Sequence, residues 1–361
     1  MSASGGAEPA RRTFRIEPVD PGTGLIVRRP TGRAERADRL DLIVTRYLTK
    51  QFGNIPGLSR ARVQEWIGAG RVRVDGVAVT RPSLRPPMGA EVEVLLPPHA
   101  RAAPVAQDIP LSILYEDDWL LALDKPPGMV AHPTKGHADG TLLNALLWHF
   151  GRKEGGVGLV NRLDQGTSGV MLVAKAPEVH ARFARLARLR RRDQDRAPRV
   201  EKEYLAVVYG APPHPKGRID RRILRDPADP RRRMTSRTEG RESSTLWECL
   251  AESAGERAGI ALLRCQLLTG RTHQIRVHLE SEGMPIVGDP LYGAPRWKGL
   301  DDSGLASACR DFRRQALHAW RLRFPHPVSG EMLAVEAPVP ADLGALMAAA
   351  GIAPASMREP S

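Results

Sequence analysis

The sequence predicts an α+β protein in two unequal domains, and three observations carry that expectation. Residues 38–97 read as helix, helix, hairpin and strand. A Pro/Ala-rich run from Pro97 to Pro104 follows and has the composition of a stiff linker. Beyond it, apolar or alternating runs of strand length outnumber the helical patterns. At 361 residues with 42% hydrophobic content, the chain can bury two cores.

In chain order, residues 1–37 are rich in Gly, Pro and Arg without periodicity and are expected to be a disordered or loosely ordered basic arm. Over 38–97, Leu40, Leu42-Ile43 and Tyr47-Leu48 recur at helical spacing, with Asp41 where the helix macrodipole favours negative charge. Ser59 reads as the N-cap of a second helix carrying Val63, Trp66 and Ile67 on one face. Val72 to Val79 reads as a hairpin around Asp75-Gly76, and Glu91 to Leu95 as a further strand. A linker is expected at 98–109, a large domain at 110–345, and a tail at 346–361.

The large domain turns on the run from Leu159 to Lys175. Arg162 and Asp164 flank Leu163, so in extended backbone the two charges share a face while the leucine packs behind them. Gly166-Thr167-Ser168-Gly169 then makes a turn, and Val170 to Ala174 reads as a buried strand. By pattern alone, Arg-x-Asp before such a turn is more often a structural ion pair than a catalytic group. Two neighbouring motifs stand out: Glu201 to Gly210 alternates as a strand carrying Tyr204, and Gly270-Arg271-Thr272-His273-Gln274-Ile275-Arg276 opens a helix that Gly283 terminates.

These three stretches closely resemble the motifs of the RluA-type pseudouridine synthases. Their signature loop runs His-Arg-Leu-Asp and then Thr-Ser/Thr-Gly; this chain matches it at Arg162, Leu163, Asp164, Thr167 or Ser168, and Gly169, with Asn161 where the histidine usually stands. The likeness spans about residues 38–340, and the 38–97 unit resembles the S4 RNA-binding module. It implies a mixed, largely antiparallel catalytic core behind a small S4-like α/β RNA-binding domain. It implies Asp164 as the catalytic aspartate, Tyr204 against the target base, and Arg271 as the ion-pair partner of Asp164, with Arg276 as the alternative and otherwise a substrate contact. Arg162 would fill the space left by a flipped base or hold a flanking phosphate, and Arg60, Arg62, Arg71 and Arg73 of the S4-like unit would meet phosphates. Lys125 and His132 are expected to shape the pocket rim. A short insertion, Arg192 to Arg199, is either an extra RNA contact or a solvated loop.

The expected reaction breaks the N1–C1′ bond of uridine, rotates the base and joins C5 to C1′. Being an isomerisation it needs no cofactor, which agrees with a chain lacking a phosphate-binding Gly loop or dinucleotide fingerprint. A carboxylate in an apolar pocket requires a nearby cation to stay charged. His273 and His278 are five apart without a completing carboxylate, so no metal is expected. The formal charge of +13 suits a polyanionic partner; within the family the likeness is greatest to the branch acting on large-subunit rRNA or a pre-ribosomal particle, with tRNA as the alternative. The rival from another class is a non-catalytic RNA-binding or ribosome-assembly factor. No 18-residue apolar run, no apolar N-terminal segment and three scattered cysteines lead us to expect a cytoplasmic monomer without membrane contact.

Overall fold

The computed structural model describes residues 11–15, 38–52, 58–96, 104–133, 137, 139–151, 157–189, 200–253 and 259–353. They form two compact units, Met1–Pro104 and Val105–Ser361. In the first, strand β1 (Arg11–Arg15) precedes helices α1 (Leu40–Phe52) and α2 (Arg60–Gly68), then strands β2 (Val72–Val74), β3 (Val77–Val79) and β4 (Glu91–Leu95). Leu40, Val44 and Leu48 of α1, spaced by four, meet Val63, Trp66 and Ile67 of α2 over Val72, Val92 and Val94 of the sheet. Ser59 is extended, and its Oγ accepts from the Arg62 N–H at 3.2 Å, fixing where α2 starts. The β2–β3 turn needs left-handed backbone at two successive positions, which Asp75 (φ 48°) and Gly76 (φ 80°) supply.

One expectation is corrected here and another extended. Arg11–Arg15 lies inside the stretch expected to be loosely ordered, yet it pairs antiparallel with β4, and Phe14 stacks on Tyr47 with centroids 3.9 Å apart. A single aromatic anchor and a ready edge strand order a segment with no hydrophobic period of its own. Asp41 is more than a dipole partner: its carboxylate is fully buried and accepts from Arg39, Arg60 and Gln64. Burial opposes the charge, but those donors win and hold the group at about 2.

The second unit carries β5 (Ser112–Glu116), β6 (Leu120–Lys125), α3 (Leu142–His149), β7 (Gly158–Leu159), β8 (Ser168–Ala174), α4 (Pro177–Leu189), β9 (Glu201–Tyr209), β10 (Lys216–Asp220), β11 (Arg222–Arg225), β12 (Arg233–Ser236), β13 (Ser244–Glu252), β14 (Ile260–Leu267), α5 (Gln274–Ser281), α6 (Ser303–Asp311), β15 (Leu317–Pro325), β16 (Met332–Glu336) and α7 (Ala341–Ala349). Its sheet runs β10-β13-β14-β9-β15-β8-β6-β5, with β7 on β8 and β16 on β15. β8 and β15 pair in parallel and the other neighbours pair antiparallel, giving a mixed, largely antiparallel core. β11 and β12 form a separate hairpin.

Both faces of the central strands are covered. Met171 and Val173 join the larger core while Val170, Leu172 and Ala174 join the other, so β8 reads as an unbroken apolar run rather than an alternating one. Gly169 (φ 110°) admits the close parallel approach of β15, since a Cβ there would lie 2.2 Å from the Ala319 carbonyl oxygen.

The linker and tail expectations both shift. From Val105 onward the chain is packed: the buried amide of Asn144 donates to the Val105 carbonyl at 2.7 Å, and the Gln107 N–H donates to Asn144 O. Likewise α7 carries Leu346 and Met347 into the main core, followed by Ala350 and Ile352; its Ala-rich sequence hides the apolar stripe. The expected insertion at 192–199 and residues 190–191 lie outside the described residues.

His318 yields a prediction about stability. Its imidazole is fully buried between the Ser168 hydroxyl at 3.0 Å and the Ala337 carbonyl at 3.3 Å, and burial pushes it down to about 4. The unfolded chain protonates this histidine below about pH 6.5 and the folded one does not, so stability falls as pH drops through that window, by about 3 kcal/mol in all. Urea unfolding at pH 7.0 and 4.5 is expected to show a smaller loss in His318→Asn than in the wild type.

Candidate active site

Asp164 sits on the loop leading into β8, and five anchors fix that loop. The Asn161 side chain, 5% exposed, donates to Val170 O at 3.0 Å and accepts from the Leu172 N–H at 2.7 Å, acting as a short substitute strand beside β8. Gln165 O accepts from Lys125 Nζ at 3.1 Å and from the Gly128 N–H at 2.8 Å. Gly166 O accepts from Arg314 Nη1, Thr167 Oγ1 from Gln315 Nε2, and Ser168 meets His318. Asn161 is therefore a buried anchor whose side chain engages the strand. We predict that Asn161→Ala, leaving a buried N–H and C=O unpaired, lowers stability by on the order of 2–4 kcal/mol, as read by thermal unfolding.

Lys125 belongs to the same scaffold. It is fully buried, and its ammonium donates to the carbonyls of Pro126, Met129 and Gln165. Burial brings it down to about 8; Arg314 adds to that, while Asp164 and Asp124 oppose it. It thus clasps the 126–129 turn to the residue that follows Asp164. His132 is exposed and is made harder to protonate by its surroundings and by the charge of Arg162.

The charge partner of Asp164 is Arg276. Its Nη1 donates to Asp164 Oδ2 at 2.9 Å, while Nε and Nη2 make a bidentate pair with Asp289 at 2.6 and 2.7 Å. The Asp289 carboxylate is fully buried and also accepts from the N–H groups of Leu291 and Tyr292. Burial disfavours the guanidinium charge, but Asp289 and then Asp164 outweigh it and raise its pKa further. Arg271, the first choice from sequence, instead directs Nε and Nη2 at the Glu242 carbonyl, both at 3.2 Å. It precedes α5, whereas Arg276 lies within the helix and is 4% exposed on its side chain.

Asp164 keeps 26% of its side chain exposed and opens into a cleft of about 800 Å³, which Gln165, Gly166, His273, Arg276, Pro290 and Arg314 help to line. That volume lies within the range that holds small ligands. Tyr204 on β9 is 6% exposed in the main core, where burial raises its phenol and the charge of Asp164 raises it further. Arg162, two residues before Asp164, is exposed. In the first unit Arg62 and Arg73 are exposed, Arg71 is half-buried, and the Arg60 guanidinium is tied to Asp41 at 2.8 Å. The sequence reading missed Asp289 and Tyr292, and it weighed His273 only as a metal ligand; the motif Gly270 to Arg276 contains His273, but nothing in its pattern ties it to Asp289 and Tyr292.

Comparison with known proteins agrees with this architecture. Residues 119–281 match the model of the RNA pseudouridylate synthase family, and residues 56–92 match the S4 domain. The ribosomal large subunit pseudouridine synthase D of Xanthomonas campestris is 46% identical over 81% of this chain and 85% of its own length. An uncharacterized RNA pseudouridine synthase of Bacillus subtilis, YlyB, is 39% identical over 80% and 88%. The structure of human RNA pseudouridylate synthase domain containing 1 superimposes with a TM-score of 0.51 at 28% identity, covering 68% of this chain and 89% of that one. The identity of the sequence over both units, together with a shared fold, shows that this chain belongs to the RNA pseudouridylate synthase family.

Proposed function

We propose that this enzyme converts uridines of large-subunit ribosomal RNA to pseudouridine, with Asp164 as the group that acts on a flipped-out nucleotide. The observation that carries the reading is the buried chain Asp289–Arg276–Asp164. It keeps a cation against one carboxylate oxygen, Oδ2, beside a cleft of about 800 Å³, roomy enough for a nucleotide. Among the described residues no hydrogen bond reaches Oδ1, the oxygen that faces the substrate in this account.

The roles of the other side chains follow from their places. The target uridine must leave its stack, at a cost of a few kcal/mol; Arg162, exposed and two residues before Asp164, occupies the vacated space or holds the adjacent phosphate. Tyr204, buried in the core and close enough to feel the charge of Asp164, would back the base and help keep water from C1′, where hydrolysis would turn isomerisation into base loss. Arg62, Arg71 and Arg73 give the S4 unit its phosphate contacts, which position the RNA without reading its sequence. Arg60, already paired with Asp41, contributes the part of its guanidinium that stays exposed.

The large-subunit target is supported by the names of relatives at 38–46% identity from several bacteria. Among the described residues no helix is long and apolar enough to cross a membrane, and we take the enzyme to act as a cytoplasmic monomer. The test is tritium release from RNA labelled at uridine C5, since joining C5 to C1′ expels that hydrogen. Release from large-subunit transcripts and none from tRNA is expected. Release from tRNA alone would move the substrate to the other branch, and release from neither would favour a binding factor.

A further inference from the structure

His273 is one of two non-glycine residues with left-handed backbone among those described, at φ 59°. An α-helix usually begins from an extended residue, and left-handed backbone at a side-chain-bearing position persists where its surroundings impose it. Here it occurs in the residue before α5, at the wall of the cleft. It sets the imidazole with Nε2 3.8 Å from Asp164 Oδ2, the oxygen that Arg276 also holds.

The hydrogen bonds of the other ring nitrogen assign the tautomer. Nδ1 lies 2.8 Å from the Tyr292 hydroxyl, and that hydroxyl already accepts from the Arg233 N–H at 2.7 Å. Among the described residues Nδ1 is the one acceptor bonded to that hydroxyl, so the phenol proton finds a partner only when it is given to Nδ1, and a neutral imidazole then has its hydrogen on Nε2, toward Asp164. Tyr292 is well fixed for this task. It is 1% exposed, the guanidiniums of Arg232 and Arg276 stand over its ring at 5.1 and 4.9 Å, and His273 meets it edge-on. Around the imidazole stand Asp164 from the loop, Arg276 from its own helix, Arg233 from the hairpin, and Asp289 and Tyr292 from the turn after α5. Burial disfavours its protonation; Asp164 opposes that, and the two arginines reinforce it.

We propose that His273 is a second positioning residue for Asp164: held as the Nε2–H tautomer by Tyr292, it directs that N–H at Oδ2 beside Arg276 and leaves Oδ1 to meet the nucleotide. The inference rests on Asp164 being the reacting carboxylate. Because the hydrogen bond that fixes Tyr292 comes from the β12 backbone, the basic hairpin β11–β12 is joined to the carboxylate through two side chains.

The test uses the full-length protein with RNA substrate, comparing His273→Ala, His273→Gln, Tyr292→Phe and Asp164→Asn for kcat, KM and the pH profile, with thermal melts as the control for folding. His273→Ala is expected to lower kcat by about 10- to 100-fold while KM changes by less than about twofold. His273→Gln, whose amide N–H can replace Nε2–H, recovers much of that loss. Tyr292→Phe keeps the ring and both guanidinium contacts but frees Nδ1, so His273 protonates more easily and the acid limb of the rate moves to higher pH. That limb shift vanishes in the Tyr292→Phe/His273→Ala double variant. A His273→Ala enzyme with kcat within about twofold of wild type, or folded Ala and Gln variants equally impaired with no shift of the acid limb in Tyr292→Phe, overturns the proposal. If Asp164→Asn itself turns over like wild type, the underlying assignment of the carboxylate fails instead.

Discussion

Replacing Asp164 with asparagine is expected to abolish isomerisation, with a rate loss of about four orders of magnitude or more, while RNA affinity stays within about twofold of wild type. The substitution is nearly isosteric, and the anchors of the loop do not depend on the carboxylate: Asn161, Lys125, Arg314 and Gln315 grip residues 165–172 through backbone and hydroxyl groups. What disappears is the charge on Oδ1 and the ability to act as nucleophile or base. Because RNA affinity comes largely from phosphate contacts, which lie elsewhere in this account, binding and chemistry separate cleanly. Single-turnover rates and filter binding on the same RNA measure the two halves, and a wild-type rate in the variant would remove the catalytic assignment.

The second large effect is expected at Arg276. Arg276→Met leaves the fully buried Asp289 carboxylate with only the N–H groups of Leu291 and Tyr292, and leaves Asp164 without its cation. Breaking a buried pair from one side costs about 3–5 kcal/mol of stability, and activity should fall by about 10³-fold or more, as for other groups that set transition-state charge. The double variant Arg276→Met/Asp289→Leu separates the two losses. Removing both members of a buried pair is often close to neutral for folding, so stability should return in a denaturation curve while activity does not. Arg271→Met, whose guanidinium reaches the Glu242 carbonyl, is expected to cost much less activity. Equal losses at 271 and 276 would contradict the assignment of the ion pair.

That pair also shows where sequence reasoning stops. The loop was legible because a turn of Gly, Thr and Ser residues leads into an unbroken apolar run, and β8 is buried on both faces as that run implies. Helix α2 was legible because Ser59 marks its start and three apolar residues share a face. Which of two arginines five residues apart meets Asp164 was not legible. The choice depends on where α5 begins, and on Asp289, which is 125 residues from Asp164 along the chain. Family likeness named the right motif and the wrong guanidinium. Asn161 raised the possibility of a lapsed site, because a departure at a signature position looks like lost chemistry. In the fold its amide faces the β8 backbone. Strand β1 and helix α7 escaped notice for a simpler reason. One is ordered by Phe14 alone against a sheet edge, and the other hides its stripe in an Ala-rich sequence.

Mass-spectrometric mapping of pseudouridine in total RNA, in a strain deleted for the gene and complemented with wild type or Asp164→Asn, asks whether this chain makes pseudouridine in large-subunit RNA through Asp164. Defined pseudouridines are expected to vanish from the large-subunit rRNA of the deletion strain, return with the wild-type gene, and stay absent with Asp164→Asn expressed at the same level. A map of large-subunit rRNA unchanged by the deletion, or fully restored by the asparagine variant, would contradict this reading.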